Sequence, residues 1–94
     1  MRTLVWGNTF IRALKRTIKR NPQYKRIIEG TLRALEEDPF APKLETHKLK
    51  GKLSGSWACT VRCDLRIIFD FVKSLDQKED DILLLDIGTH REVY

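Results

Sequence analysis

Residues 47–71 read HKLKGKLSGSWACTVRCDLRIIFDF. The stretch opens with His47, Lys48, Lys50 and Lys52 on a segment broken by Gly51 and Gly55. Two alternating runs follow, joined by Cys63-Asp64. In the first, Trp57, Cys59 and Val61 point one way and Ala58, Thr60 and Arg62 the other. In the second, Leu65, Ile67, Phe69 and Phe71 oppose Arg66, Ile68 and Asp70. Alternation with period two predicts a hairpin with one face in a core and one face open. The open face is expected to carry Arg62 and Arg66 beside the lysine-rich segment. Such a surface suits anions.

Upstream of the hairpin the period changes. Thr3-Leu4-Val5-Trp6 is a short apolar strand ending at Gly7, after which Asn8 or Thr9 is expected to cap a helix. Phe10, Ile11, Leu14 and Ile18 fall at helical spacing, and Arg12, Lys15, Arg16, Lys19 and Arg20 take the other face. Asn21-Pro22 stops this helix, since proline disfavours the α conformation before it and lacks a backbone donor. A second helix is predicted from Gln23 to Glu37, with Tyr24, Ile27, Ile28, Leu32 and Leu35 on one side. So short a link makes the two helices antiparallel neighbours. Gly30 weakens the second helix by about 1 kcal/mol relative to alanine and is expected to let the helices pack closely.

Between the second helix and the hairpin, Phe40–Leu53 reads as irregular. Downstream, Ser74–Asp81 (SLDQKEDD) reads as a hairpin loop and Ile82–Ile87 as a last strand. The order is β-α-α-β-β-β. It predicts an α+β fold, a single domain over residues 1–94, with two N-terminal antiparallel helices packed on a small, mostly antiparallel sheet.

Charge separates the function classes. The net charge is +5, but residues 1–52 carry +8 and residues 53–94 carry −3. A basic front half favours a polyanionic partner. No apolar run reaches membrane-spanning length and no signal-peptide pattern opens the chain, so a cytoplasmic protein without membrane association is expected. Cys59 and Cys63 would lie roughly 13 Å apart along a strand, too far for a disulfide. Cys-x3-Cys without a second pair is also a poor zinc site, so no metal or other cofactor is expected.

The order of elements, the phrase Val61-Arg62-Cys63-Asp64-Leu65-Arg66-Ile67-Ile68-Phe69 and the ending Ile87-Gly88-Thr89-His90-Arg91-Glu92-Val93-Tyr94 resemble the RelE/ParE superfamily of bacterial toxin–antitoxin toxins. His47 ahead of Gly-x-x-Ser-Gly-Ser-Trp, together with Gly88-Thr89-His90, resembles the YafQ branch more narrowly. The resemblance implies a RelE-like fold and a ribosome-dependent mRNA endonuclease acting in the ribosomal A site, silenced by a cognate antitoxin. It carries over to His47 as the histidine before the Trp strand, Asp64 as the hairpin aspartate, His90 as the later histidine and Tyr94 as the terminal aromatic. Thr60 stands where that branch has a second histidine. Arg66 and Tyr94 match the arginine and tyrosine of the RelE branch, so the sequence mixes two patterns. Lys48, Lys50, Lys52, Arg62 and Arg91 are the expected RNA-binding residues.

The chemistry is arguable from residue types as well. RNA is cleaved without a metal when a base takes the 2′-OH proton, the oxygen attacks the adjacent phosphate, and an acid protonates the 5′ leaving oxygen. Histidine suits either role because its ordinary pKa lies near ~6.5. Arginine or lysine stabilises the charge that builds on the phosphate. His47 and His90 are the expected acid/base pair, Asp64 orients or accepts a proton, and Tyr94 stacks on a base. A toxin of the ParE type, which binds DNA gyrase and needs no acid/base residues, is the alternative, and a catalytically inert RNA-binding module is a third reading. The antitoxin is expected to be acidic and to cover the basic hairpin face.

Overall fold

A computed structural model describes residues 1–75 and 78–94. The chain runs β1 (Leu4–Trp6), α1 (Asn8–Arg20), α2 (Tyr24–Glu37), a short turn of 3-10 helix (Pro42–Leu44), β2 (His47–Lys48), a second such turn (Gly51–Leu53), β3 (Trp57–Arg62), β4 (Leu65–Val72), β5 (Asp81–Thr89) and α3 (His90–Val93). The strands form one mixed sheet in the order β1-β5-β4-β3-β2. β1 pairs with β5 in parallel and every other neighbour is antiparallel. The expected loop over Ser74–Asp81 lies partly at Asp76 and Gln77, outside the described residues, and Asp81 already belongs to β5.

The core sits between the two long helices and one sheet face. Phe10 and Ala13 of α1 and Ile28, Leu32 and Leu35 of α2 meet Cys59, Ile67, Phe69, Ile82, Leu84 and Ile87. α1 lies over β5, while α2 reaches β3 and the Pro42–Leu44 turn. Burying side chains of this size stabilises the fold by about 1.5–3 kcal/mol each. The spacing from Leu84 to Ile87 breaks strict alternation because the register of β4 and β5 shifts between Ile68 and Phe69. One extra residue on β5 returns Ile87 to the core side.

Four local expectations need correction. Gly7, not Asn8 or Thr9, is the N-cap of α1; it is extended, and no side chain caps the helix. Gly30 does not bring the helices together, since a Cβ built there would meet nothing within 4 Å. The irregular segment hides the two-residue strand β2, which pairs His47 with Ala58 and Lys48 with Trp57. The last strand, expected over Ile82–Ile87, runs from Asp81 to Thr89, and the tail after it folds into α3. Among the described residues the sheet therefore has five strands rather than four, and three α-helices accompany it.

Candidate active site

The face of the sheet turned away from α1 and α2 is organised by register. His47, Ala58, Ile68 and Asp86 stand in one row across four strands, and Thr60, Arg66 and Gly88 in the next. This face is not open throughout. Ala58 and Ile68, predicted to be on an open face, are buried, and α3 packs back across β4 and β5. Gly88 makes that packing possible, because a Cβ there would come within 3.1 Å of Glu92 Cβ and Val93 Cγ1.

α3 is fixed by its own cap. Thr89 Oγ1 accepts from the Glu92 backbone N–H at 3.3 Å, and the Thr89 N–H donates to Glu92 Oε1 at 2.9 Å. These reciprocal bonds satisfy donors that a helix start would otherwise leave free. The backbone bond from Thr89 is the main reason the Glu92 carboxyl is held below its usual pKa, with Arg20 and Arg16 contributing less. Arg20 Nη1 also lies 3.5 Å from Glu92 Oε2, tying α3 loosely to the end of α1. The Thr-x-x-Glu spacing was a readable signal for this helix.

The cap aims two rings together. His90 opens α3 and Tyr94 follows it, with ring centroids 4.3 Å apart at 83°. Tyr94 closes one side of a cleft of about 340 Å³ lined also by Leu49, Lys50, Lys52 and Leu53. Burial pushes the Tyr94 phenol up in pKa, against the Arg66 cation, which pulls it down. Tyr94 therefore stays a neutral phenol at neutral pH, with a cation close enough to act on it. Arg66 Nη1 donates to the Cys63 carbonyl at 2.6 Å, which holds the guanidinium at the hairpin end.

The other expected residues divide between this face and elsewhere. His47 lies exposed on the outermost strand, with Nδ1 3.0 Å from the Glu45 carbonyl oxygen. A carbonyl only accepts, so this contact is a hydrogen bond in the tautomer with its proton on Nδ1. Lys48 pairs with Trp57, on the opposite side of β2 from His47. Arg91 is exposed on α3. Arg62 does not share a face with Arg66: the register shifts between Thr60 and Arg62, placing Arg62 opposite Leu65 on the core side. Arg62 and Asp64 instead line a separate hollow of about 230 Å³ with Arg20, Tyr24 and Glu92. Sequence reasoning missed Leu49 and Leu53, the apolar walls of the cleft. Among the described residues, no group of three His, Cys, Asp or Glu side chains is placed to hold a metal.

Comparisons with known proteins agree with this architecture. A metal-bound toxin from Helicobacter pylori is 27% identical, with 100% of each chain covered and a TM-score of 0.78. YafQ in the Escherichia coli DinJ–YafQ complex is 17% identical over 100% of this chain and 99% of that one, with a TM-score of 0.76. A YoeB/ParE toxin from Agrobacterium tumefaciens is 19% identical over 94% and 98%, with a TM-score of 0.74. The curated proteins include no significant match. The profile of YafQ, the bacterial toxin of type II toxin–antitoxin systems, matches residues 2–94, and this chain belongs to that family.

Proposed function

We propose that this toxin is a ribosome-dependent mRNA endonuclease that works in the cytoplasm without a metal and is silenced by a cognate antitoxin. The observation that carries the reading is the His90–Tyr94 ring pair beside a cleft walled by Lys50 and Lys52, with Arg66 acting on the same phenol. A gyrase-binding toxin needs no such set.

In this reading an RNA strand lies across the sheet face turned away from α1 and α2, beside α3, its phosphate held by Lys50, Lys52 and Arg66. A base removes the 2′-OH proton, the oxygen attacks phosphorus, and the 5′ oxygen leaves with a proton from His90. The new bond closes a 2′,3′-cyclic phosphate. Cations that meet the charge as it develops lower the barrier, and Tyr94 stacks on the unpaired base. His47 is the general base, in the tautomer with its proton on Nδ1. Asp64 lies in the other hollow, so its role is the orientation of nearby cations rather than proton transfer. A partner antitoxin is supported by the complex in which E. coli YafQ is found with DinJ.

The test is single-turnover cleavage of mRNA on programmed ribosomes, run beside a gyrase supercoiling assay. Cleavage without any effect on supercoiling is expected. Inhibition of supercoiling without cleavage would transfer the chain to the gyrase-binding class.

A further inference from the structure

Lys48 belongs to the expected RNA-binding residues, yet β2 turns it to the side opposite His47, next to Trp57. That side of the sheet carries an aromatic cluster just past the end of α2. Phe40 stacks on Phe71, with ring centroids 5.6 Å apart at 22°. Trp57 meets both rings edge-on, 5.4 Å from Phe40 and 5.5 Å from Phe71. Stacked and edge-to-face contacts are the favoured arrangements of aromatic rings. Catalysis at the Tyr94 cleft uses none of the three.

Phe40 stands apart within this cluster. It is 52% exposed despite its two aromatic neighbours. The residue is nevertheless pinned. Its N–H donates to Asp38 Oδ1 at 3.0 Å, and the carbonyl of the buried Pro39 accepts from Thr46 Oγ1 at 2.6 Å. The ring is therefore both fixed and open. Cations lie beside it. The Arg2 guanidinium sits over the Phe71 ring, 5.4 Å from its centroid. Arg2 Nη1 donates to the Asp80 carbonyl at 2.9 Å, a neutral partner that leaves the charge uncancelled. Lys48, paired with Trp57, is exposed. Among the described residues, no carboxylate forms an ion pair with either cation.

We propose that this cluster is a second seat for single-stranded RNA, where an unpaired base stacks on Phe40 and Lys48 and Arg2 hold the adjoining phosphates. The inference rests on the reading of the chain as a toxin that acts on RNA, not on the chemistry at His90. Every base has a π face, so stacking adds grip without reading sequence. β2 is the outermost strand of the sheet, with His47 on one side and Lys48 on the other. An RNA strand leaving the catalytic face crosses that one strand to reach Phe40. The seat then fixes a nucleotide outside the stretch being cut. An acidic peptide fits less well, because it would meet the cations and leave the ring uncovered.

The probe is a 2′-O-methyl oligoadenylate of about ten nucleotides, within the span of single-strand binding sites. It has no free 2′-OH to attack phosphorus, so it stays intact. It is titrated into the full chain carrying isotope-labelled phenylalanine, and the ring signals are followed by NMR. The Phe40 signals are expected to move upfield in the ring current of the stacked base, while those of buried Phe10 and Phe69 stay in place. Phe40→Leu keeps an apolar side chain but removes the π face, and affinity should fall about tenfold. Lys48→Ala should weaken binding and reduce its salt dependence by about one phosphate contact. The Phe40 shift is read in the parent, so the test stands even if Phe40→Leu fails to fold. The proposal is overturned if the oligonucleotide leaves the Phe40 signals unmoved, or if folded Phe40→Leu binds as tightly as the parent. It is also overturned if polyglutamate of equal length moves those signals as far, which would make the surface a protein contact. Failure of the parent to cleave mRNA on ribosomes would remove the nuclease reading and leave this binding result standing.

Discussion

Tyr94 and His90 are held as a pair, and substitution at each has a different expected signature. His90→Gln should lower single-turnover cleavage by roughly 10²–10⁴-fold, the usual contribution of one acid/base group. Folding should not follow, because His90 is exposed; circular dichroism checks this. Tyr94→Ala should weaken placement of the base by about 1–3 kcal/mol. Parent-rate cleavage by both variants would leave the ring pair without a catalytic role. Buried Cys59 makes a separate prediction. Burial raises its thiol from 9.0 to about 12, outweighing the backbone contact with Ile67 and the Arg66 charge. In an alkaline unfolded chain this thiol ionises first, so its contribution is intact below pH 9 and is lost as pH rises toward 12, by ~1.4 kcal/mol per unit. Urea unfolding followed by tryptophan fluorescence should show Cys59→Ala losing less stability than the parent between pH 8 and 10.5. Equal losses would remove this account.

α3 is the smallest helix, and both rings depend on where it sits. Thr89→Ala removes the hydroxyl that accepts from Glu92 N–H, a loss worth about 1 kcal/mol at a helix start. α3 contributes no buried residue, so the loss should appear as local opening rather than global unfolding. Cleavage should fall about fivefold, the kinetic equivalent of that energy, while the thermal midpoint barely moves. A large drop in midpoint would mean that α3 supports the whole fold. This element also marks how far the sequence could be read. Regular alternation from Trp57 to Phe71, and helical spacing from Phe10 to Leu35, placed β3, β4 and the two long helices, since each presents one apolar face to one core, while β5 was read as Ile82–Ile87 only. β2 was illegible because two residues carry no period. The displacement of Arg62 was illegible because a register shift is set by the turn, where Cys63 adopts a φ of 45°, and not by side-chain pattern. For the same reason the sequence set Arg62 beside Arg66 on one open face, whereas the fold puts Arg62, with Asp64, in the hollow beside α1.

At the scale of the whole molecule, charge and shape pull in different directions. The chain carries +5, so it meets a polyanion readily, and such attraction is independent of sequence and weakens with salt. Its cleft, however, is shallow in chemistry: two lysines, a neutral phenol and two leucines surround about 340 Å³. His47 stands on the outermost strand and His90 at the far end of β5, with β3 and β4 between them. Free RNA would therefore bind in many poses, few of which bring the 2′-OH, the phosphate and both histidines into line. A ribosome that presents one stretched codon removes that disorder, and fixed alignment can contribute several kcal/mol of the barrier. The expected result is cleavage of mRNA on programmed ribosomes at least ~10³-fold faster than cleavage of the same mRNA alone, a ratio equivalent to about 4 kcal/mol. Raising salt from 50 to 200 mM should weaken binding to free RNA steeply, in proportion to the phosphates contacted. On the ribosome, the single-turnover rate at saturating toxin should change much less, because alignment rather than attraction sets it. Equal rates on free and ribosome-bound mRNA would show that the toxin aligns its substrate unaided, and the shallow cleft would then need another explanation.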